Sequence, residues 1–580
     1  MKNNNALLYF FVLLVSFLLF VPFIGNMHLF DWDEINFAEC AREMVLTGDY
    51  SKVQLNFKPF WEKPPVFIWF QAVCMNVFGI NEFAARLPNA ICGILTLLIL
   101  FHYGKRYFSL STAVLWCLLF TGSILPHLYF KSGLIDPWFN LFMFLSVLQF
   151  IFTINNFRSR SVMWNAILTG VYLGLAVLTK GPVAIVIIGM VILISVFITK
   201  QTQFLISKNF VLLIASVILI SMSWFGLMFL TGHSDVVHEF ISYQVRLFET
   251  ADAGHDGPLY YHLIVLLVGC FPASLLFLQG LKSTEIRSPF EVLFKKVMLV
   301  LFFVVLILFS IVKTKIVHYS SMCYFPLTFI GALYLSEHSY KMELFKRWYK
   351  YLYVVISIVL ILAIILVCSI NWLKPFIISG DFIKDNFALS NLKADVHWSG
   401  WEWSVVLPLI SATFIFLYLK RFTNQQQIIY TGIGLYALFI SLTLNVIVPK
   451  VEMYTQNAAI VFYQQVSSHK FDVDSYRFKS YACIFYGGRT PETFNDAEQI
   501  DFIEKQLIKA EREGHSRFSS YSTAYCDWLK YGNIKRPAFL VSKIQDANEI
   551  DELKTFKRLY ERNGFVFFVR MPVNKLKVDF

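Results

Sequence analysis

Long apolar runs separated by short polar and basic stretches fill the first 447 residues. The run from about residue 6 to 25 is long enough, at 1.5 Å per residue, to cross a hydrocarbon core of about 30 Å. No small-residue cleavage site follows it, so it predicts a first transmembrane helix rather than a signal peptide. Twelve more apolar segments lie near 86–104, 110–130, 135–155, 163–179, 183–199, 210–231, 261–280, 296–312, 320–336, 351–371, 403–419 and 428–447. Together they predict thirteen spans. The run 65–79 is shorter and predicts an interfacial or re-entrant helix. Beyond residue 447 the pattern changes: charged side chains reach the density usual in soluble proteins. Runs 536–542 and 564–569 predict strands and 496–513 a helix. The expected architecture is a polytopic α-helical membrane protein, a transmembrane domain over 1–447 followed by a small α/β soluble domain over 448–580.

Composition agrees. The 580 residues are 57% hydrophobic and 15% charged, with a mean hydropathy of +0.58, against about 45–50% and about 25% in soluble proteins. An aromatic share of 17% suits lipid-facing helices with interfacial belts. The net charge of +11 is scattered in short clusters, so no nucleic-acid partner is expected. Those clusters (Lys105 and Arg106, Arg158 and Arg160, Lys200 and Lys208, Lys282 to Lys296, Lys341 to Lys350, Lys420 and Arg421) fall in alternate loops. The positive-inside rule makes that side cytoplasmic. The acidic stretch 28–63, the loop 232–260 and the tail then lie outside, which for a bacterial inner membrane is the periplasm. Nine cysteines show no CxxC spacing, so no zinc or redox motif is signalled. Cys483 and Cys526 share the outer tail, where a disulfide between them is open.

The outer segments carry the chemistry. Asp31-Trp32-Asp33-Glu34 places three carboxylates in four residues, either a solvated loop or a general base at the membrane surface. In Phe60-Trp61-Glu62-Lys63-Pro64-Pro65 the prolines fix the backbone as the chain re-enters the membrane. Lys63 there is either a snorkelling cation or a phosphate ligand. Asp136 stands at the outer end of a span, where an ionisable group needs a partner or a task. Lys180, in Thr179-Lys180-Gly181-Pro182, is either that partner or another phosphate contact. Arg246 and His255 lie in one outer loop; Lys315, His318 and Tyr319 lie in another, where a plain anchoring role is the simpler reading.

These motifs resemble the bacterial membrane glycosyltransferases of the C-type superfamily. Asp33-Glu34, Ala38-Glu39, Arg42-Glu43-Met44, Gly48-Asp49 and Glu62-Lys63-Pro64-Pro65 carry the likeness. Phe83 to Pro88, Leu178 to Pro182 and His255 to Tyr261 continue it in order. The nearest groups are the dolichyl-phosphate-mannose protein mannosyltransferase-like enzymes and the lipid A aminoarabinose transferases. The resemblance implies an inverting transfer of a sugar from a polyprenyl-phosphate carrier to a lipid, glycan or protein acceptor at the outer membrane face. It implies Asp33 at the reaction centre, with Glu34 beside it and Asp136 as second acidic group. Lys63, Lys180, Arg246, Lys315 and Tyr319 would hold the donor phosphate, and Glu62 and His255 correspond to positions that bind a divalent cation. Phe37 and Phe60 stand where aminoarabinose transferases carry tyrosines, and Val317 replaces a proline; these changes leave the donor class intact and loosen the tie to lipid A. The rival reading, a secondary transporter or flippase, expects ionisable groups near the midplane and symmetric halves. Here the charges gather at one surface.

Overall fold

The computed structural model describes residues 2–159, 162–249, 257–282, 288–338, 347–380, 382–418, 422, 424–469, 471–513 and 517–572. Each of the thirteen apolar segments folds as helix. The chain opens with α1 (Lys2–Phe20), α2 (Asp33–Thr47), a hairpin of β1 (Gln54–Leu55) and β2 (Lys58–Pro59), and α3 (Val66–Phe78). It continues with α4 (Glu82–Tyr107), α5 (Leu110–Thr121), α6 (Ile124–Phe130), α7 (Asp136–Asn155), α8 (Met163–Lys180), α9 (Val183–Ile198) and α10 (Lys208–Leu230). Then follow α11 (Ser234–Glu249), α12 (Tyr261–Gly269), α13 (Ala273–Gly280), α14 (Pro289–Ile311), α15 (Tyr324–His338) and α16 (Arg347–Cys368).

The protein is helical and membrane-spanning, but the count of thirteen spans is not reproduced. Among the described residues seven helices are long and apolar enough to cross, or nine if each of two bent pairs is one span. The bends have local causes. The pair α5 and α6 turns by 76° at Gly122-Ser123, and α12 and α13 by 110° just before Pro272, whose ring removes a backbone donor. The 16 residues of α9 reach about 24 Å, short of a full hydrocarbon core. The last membrane helix runs over Gln425–Glu452, past the expected boundary at 447.

The segment 28–63, expected as a polar loop, contains a buried helix of 15 residues, α2, and a short hairpin. In α2, Glu34, Glu39, Arg42 and Glu43 are all buried, because each charge has partners. Arg42 forks onto both oxygens of Glu39 at 2.7 Å. Glu43 accepts the backbone N–H groups of Asn56 and Phe57. Those two residues form the β1–β2 turn with φ of 59° and 55°, the pair of positive values a two-residue hairpin of this hand requires. Burial, then the neighbouring Glu39, pushes the Glu43 carboxyl well above the usual carboxylate range.

The tail folds as expected around a four-stranded sheet of β3 (Asp472–Tyr476), β4 (Ala538–Lys543), β5 (Lys557–Arg562) and β6 (Phe565–Arg570), in the order β3-β4-β6-β5. β3 and β4 run parallel; β6 is antiparallel to both β4 and β5. Strand alternation divides the core. Phe539, Val541, Phe565, Phe567 and Val569 join the main core together with the helix Asn457–Ser467 and the membrane helices. Ala538, Leu540, Val566 and Phe568 join a second core under the helices Ala497–Arg512 and Arg517–Tyr531. Cys483 and Cys526 are both buried and free, so the open disulfide does not form.

Candidate active site

A cavity of about 1550 Å³ lies at the junction of the membrane helices and the C-terminal domain. Asp33, Glu62, Lys63, Lys180, His318 and Tyr319 line it from the membrane side, and Arg477, Lys479 and Tyr481 from the domain side.

Asp33 is the first residue of α2, where the N-terminal end of the helix dipole favours its charge. It has no hydrogen-bond or salt-bridge partner among the described residues. Lys63 precedes Pro64-Pro65, and Pro65 caps α3; a proline at a helix start forfeits only a donor that has no partner there. Its Nζ lies 5.5 Å from the centre of the Tyr243 ring, and no carboxylate pairs with it among the described residues. Lys180 ends α8 at Gly181, whose φ of +106° stops the helix. Its Nζ is 2.6 Å from Asp136 Oδ1 and 5.5 Å from the Tyr319 ring centre. The second oxygen of Asp136 faces His318 Nε2 at 3.9 Å. Burial holds the His318 imidazole below its usual range; Asp136 pulls the other way, and Lys180, Asp33 and Lys63 are within electrostatic reach. Two acidic and two basic groups therefore surround one imidazole ring.

The structure separates the residues that the sequence grouped. Asp33, Glu62, Lys63, Lys180 and Tyr319 share the cavity wall. Asp136, 2% exposed, stands behind Lys180 and orients it. Glu34 turns inward: it accepts from Arg86 Nε and a terminal nitrogen of Arg86 at 2.7 and 2.9 Å, and from the N–H groups of Phe30 and Gly133. Arg86 donates onward to the carbonyls of Ile24, Met27 and His28. That carboxylate is a strut, with no lone pair left for a substrate at the reaction centre. Lys315 likewise gives its ammonium to the carbonyls of Phe309, Ser310 and Val312, at 3.0, 2.7 and 2.6 Å. It caps the C-terminal end of α14, where cations are favoured, instead of holding a phosphate. Arg246 belongs to α11, but its side chain lies outside the described residues, as does His255 altogether. Among the described residues no group of three His, Cys, Asp or Glu side chains is arranged to hold a metal ion; Glu62 lies on the cavity wall. Of the tyrosine replacements, Phe37 lies on the cavity wall against Phe67, while Phe60 is fully buried.

Sequence reasoning missed Tyr243 and the whole domain-side wall. The wall residues carry no motif, and their nearness to Asp33 bridges more than 440 positions. His318 stood in a stretch already singled out, and only its contact with Asp136 separates it from a loop anchor.

Comparison with known proteins bears on the same regions. Residues 62–227 match the family described as dolichyl-phosphate-mannose-protein mannosyltransferase. An uncharacterized protein of Aquifex aeolicus is 30% identical over 358 residues, spanning 61% of this chain and 77% of its own. An undecaprenyl phosphate-alpha-4-amino-4-deoxy-L-arabinose arabinosyl transferase of Yersinia enterocolitica is 26% identical over 450 residues, spanning 74% and 77%. The crystal structure of ArnT from Cupriavidus metallidurans bound to undecaprenyl phosphate superposes with a TM-score of 0.70 at 16% identity, covering 98% of each chain. With this fold, these relatives and one cavity shared by the motif residues, the chain belongs to the membrane glycosyltransferase family of the protein mannosyltransferases and the ArnT aminoarabinose transferases.

Proposed function

We propose that the protein transfers a sugar from a polyprenyl-phosphate carrier to an acceptor hydroxyl or phosphate at the outer, periplasmic face of the inner membrane, with inversion at the anomeric carbon. The observation that carries this reading is the Asp33 carboxylate, without a hydrogen-bond or salt-bridge partner among the described residues, in the same cavity as Lys63 and Lys180. In this reaction the acceptor oxygen attacks the anomeric carbon, the sugar–phosphate bond breaks, and polyprenyl phosphate leaves. Lys63 and Lys180 meet the charge that grows on the departing phosphate. Such electrostatic stabilisation is usually the largest contribution to the rate. Lys180 is aimed by Asp136 and flanked by Tyr319. Asp33 takes the proton of a hydroxyl acceptor, or orients an acceptor that is already anionic. Glu62 and His255 are assigned to a divalent cation by family position alone.

The names of the relatives favour an undecaprenyl carrier. The test is turnover of labelled undecaprenyl-phosphate sugars by the purified full chain, with lipid, glycan and protein fractions offered as acceptors. Label should leave the carrier with wild type and stay on it with Asp33→Asn. Transfer by the Asp33→Asn variant at the wild-type rate would sink the assignment.

A further inference from the structure

The backbone that presents Asp33 is held by the C-terminal domain. Gln456 grips the preceding segment twice: its Nε2 donates to the Leu29 carbonyl at 2.7 Å and its Oε1 accepts from Asp31 N at 3.1 Å. The Tyr486 hydroxyl accepts from Leu29 N at 2.7 Å and donates to Glu82 at 3.0 Å. Asp31 Oδ1 accepts two backbone N–H groups, from Trp32 at 2.8 Å and from Tyr481 at 2.9 Å. Between Asp31 and Asp33, Trp32 adopts φ +76° and ψ −117°. A bulky side chain is strained in that region, and such strain persists only where its surroundings over-determine it. Lys479 Nζ lies over the Trp32 and Tyr481 rings, 5.0 and 5.3 Å from their centres, closing the same joint.

Asp33 makes no hydrogen bond or ion pair of its own among the described residues, so its place in the cavity follows from this backbone. We infer that Asp31 is a positioning residue, which ties the strained Trp32 peptide to the Tyr481 turn of the C-terminal domain and so sets where the Asp33 carboxylate stands. The inference rests on the reading of Asp33 as the reacting carboxylate. It gives the soluble domain a task in the reaction. Asp31 is outside the cavity lining and acts only through its neighbours.

The test compares Asp31→Ala, Asp31→Asn and Gln456→Ala in the purified full chain, with Asp33→Asn alongside. Three quantities are measured: hydrogen exchange of the amides at 29–33, affinity for undecaprenyl phosphate, and turnover of labelled undecaprenyl phosphate-4-amino-4-deoxy-L-arabinose. Asp31→Ala should speed exchange at 29–33, leave undecaprenyl phosphate affinity unchanged, and lower kcat on the order of 100-fold, the size expected for a displaced reacting group. Asp31→Asn keeps the carbonyl acceptor and should recover most of that loss. Gln456→Ala should move exchange and kcat in the same direction, and it decides the matter if Asp31→Ala does not fold. Unchanged exchange in both alanine variants overturns the inference. So does an Asp31→Asn as poor as Asp31→Ala, or a carrier affinity that falls as far as kcat. An active Asp33→Asn overturns the functional reading instead, whereas a silent Asp33→Asn beside a fully active Asp31→Ala overturns the positioning role alone.

Discussion

Asp33 faces the cavity without a hydrogen-bond or salt-bridge partner among the described residues, while Glu34, one position on, accepts four hydrogen bonds, two of them from Arg86. Substitutions at the two sites should therefore fail differently. Asp33→Asn should abolish transfer and leave the melting temperature of the purified protein where it was. Glu34→Ala strands a fully buried guanidinium, and removing one partner of a buried pair costs about 3–5 kcal/mol; it should lower the melting temperature and the yield of folded protein. Lys63→Ala should chiefly weaken binding of undecaprenyl phosphate, by about tenfold or more, since a hydrogen bond to a charged group is worth about 1.5–3 kcal/mol; titration of the carrier reads this directly. The sequence singled out both carboxylates but had no means of telling them apart. What distinguishes them is Arg86, 52 positions away, within a stretch noticed only for its family likeness.

Among the elements, α8 and α10 pack with backbone nearly on backbone. A Cβ added at Gly170 would stand 2.3 Å from the Leu213 carbonyl oxygen, and one at Gly174 would stand 2.6 Å from Ile220 Cβ. Small residues four apart are how membrane helices approach this closely. Gly170→Ala should push the helices apart and destabilise by about 1–3 kcal/mol, visible in thermal unfolding; because Lys180 ends α8, donor affinity should fall with it. Two of the four strands were legible because a short continuous apolar run marks a strand buried on both faces: the predicted runs fall within one residue or two of β4 and β6, whereas the polar β3 and β5 were not anticipated. The helix α2 was not legible: four charged residues on its buried face read as solvated until their partners in the hairpin and in the C-terminal domain are known. In β3, burial pushes the Asp472 carboxyl up to about 6, with Arg536 opposing. The folded state thus holds a proton that the unfolded chain has already released. This group's contribution to stability is full at acid pH and is lost as pH rises through about 6. Asp472→Asn should flatten the fall in stability between about pH 4 and 6, the interval from the unfolded to the folded carboxyl pKa, measured by thermal unfolding across that range.

At the scale of the whole molecule, the soluble tail and the membrane helices form one site. All nine cysteines are free, eight of them buried and Cys74 partly so, which leaves a quiet background for labelling. A cysteine placed at the exposed Lys58, beside the cavity, should react with a membrane-impermeant maleimide on intact spheroplasts. One placed at the exposed Arg106 should react only after permeabilisation. The reverse pattern would put the cavity in the cytoplasm and overturn the proposed orientation. The proposed orientation rests on basic loops that alternate when thirteen spans are counted, whereas the docking of the tail had no sequence signal at all, since it depends on contacts such as Tyr481 N to Asp31, 450 positions apart.

That separation has a consequence for biosynthesis. Translation emits the loop bearing Asp33 early and the turn that clamps it 450 residues later. A nascent or prematurely terminated chain inserts its helices in the bilayer while its reaction centre is still unfinished. On the proposed reading of Asp33, transfer then waits until the C-terminal domain has folded onto the membrane helices.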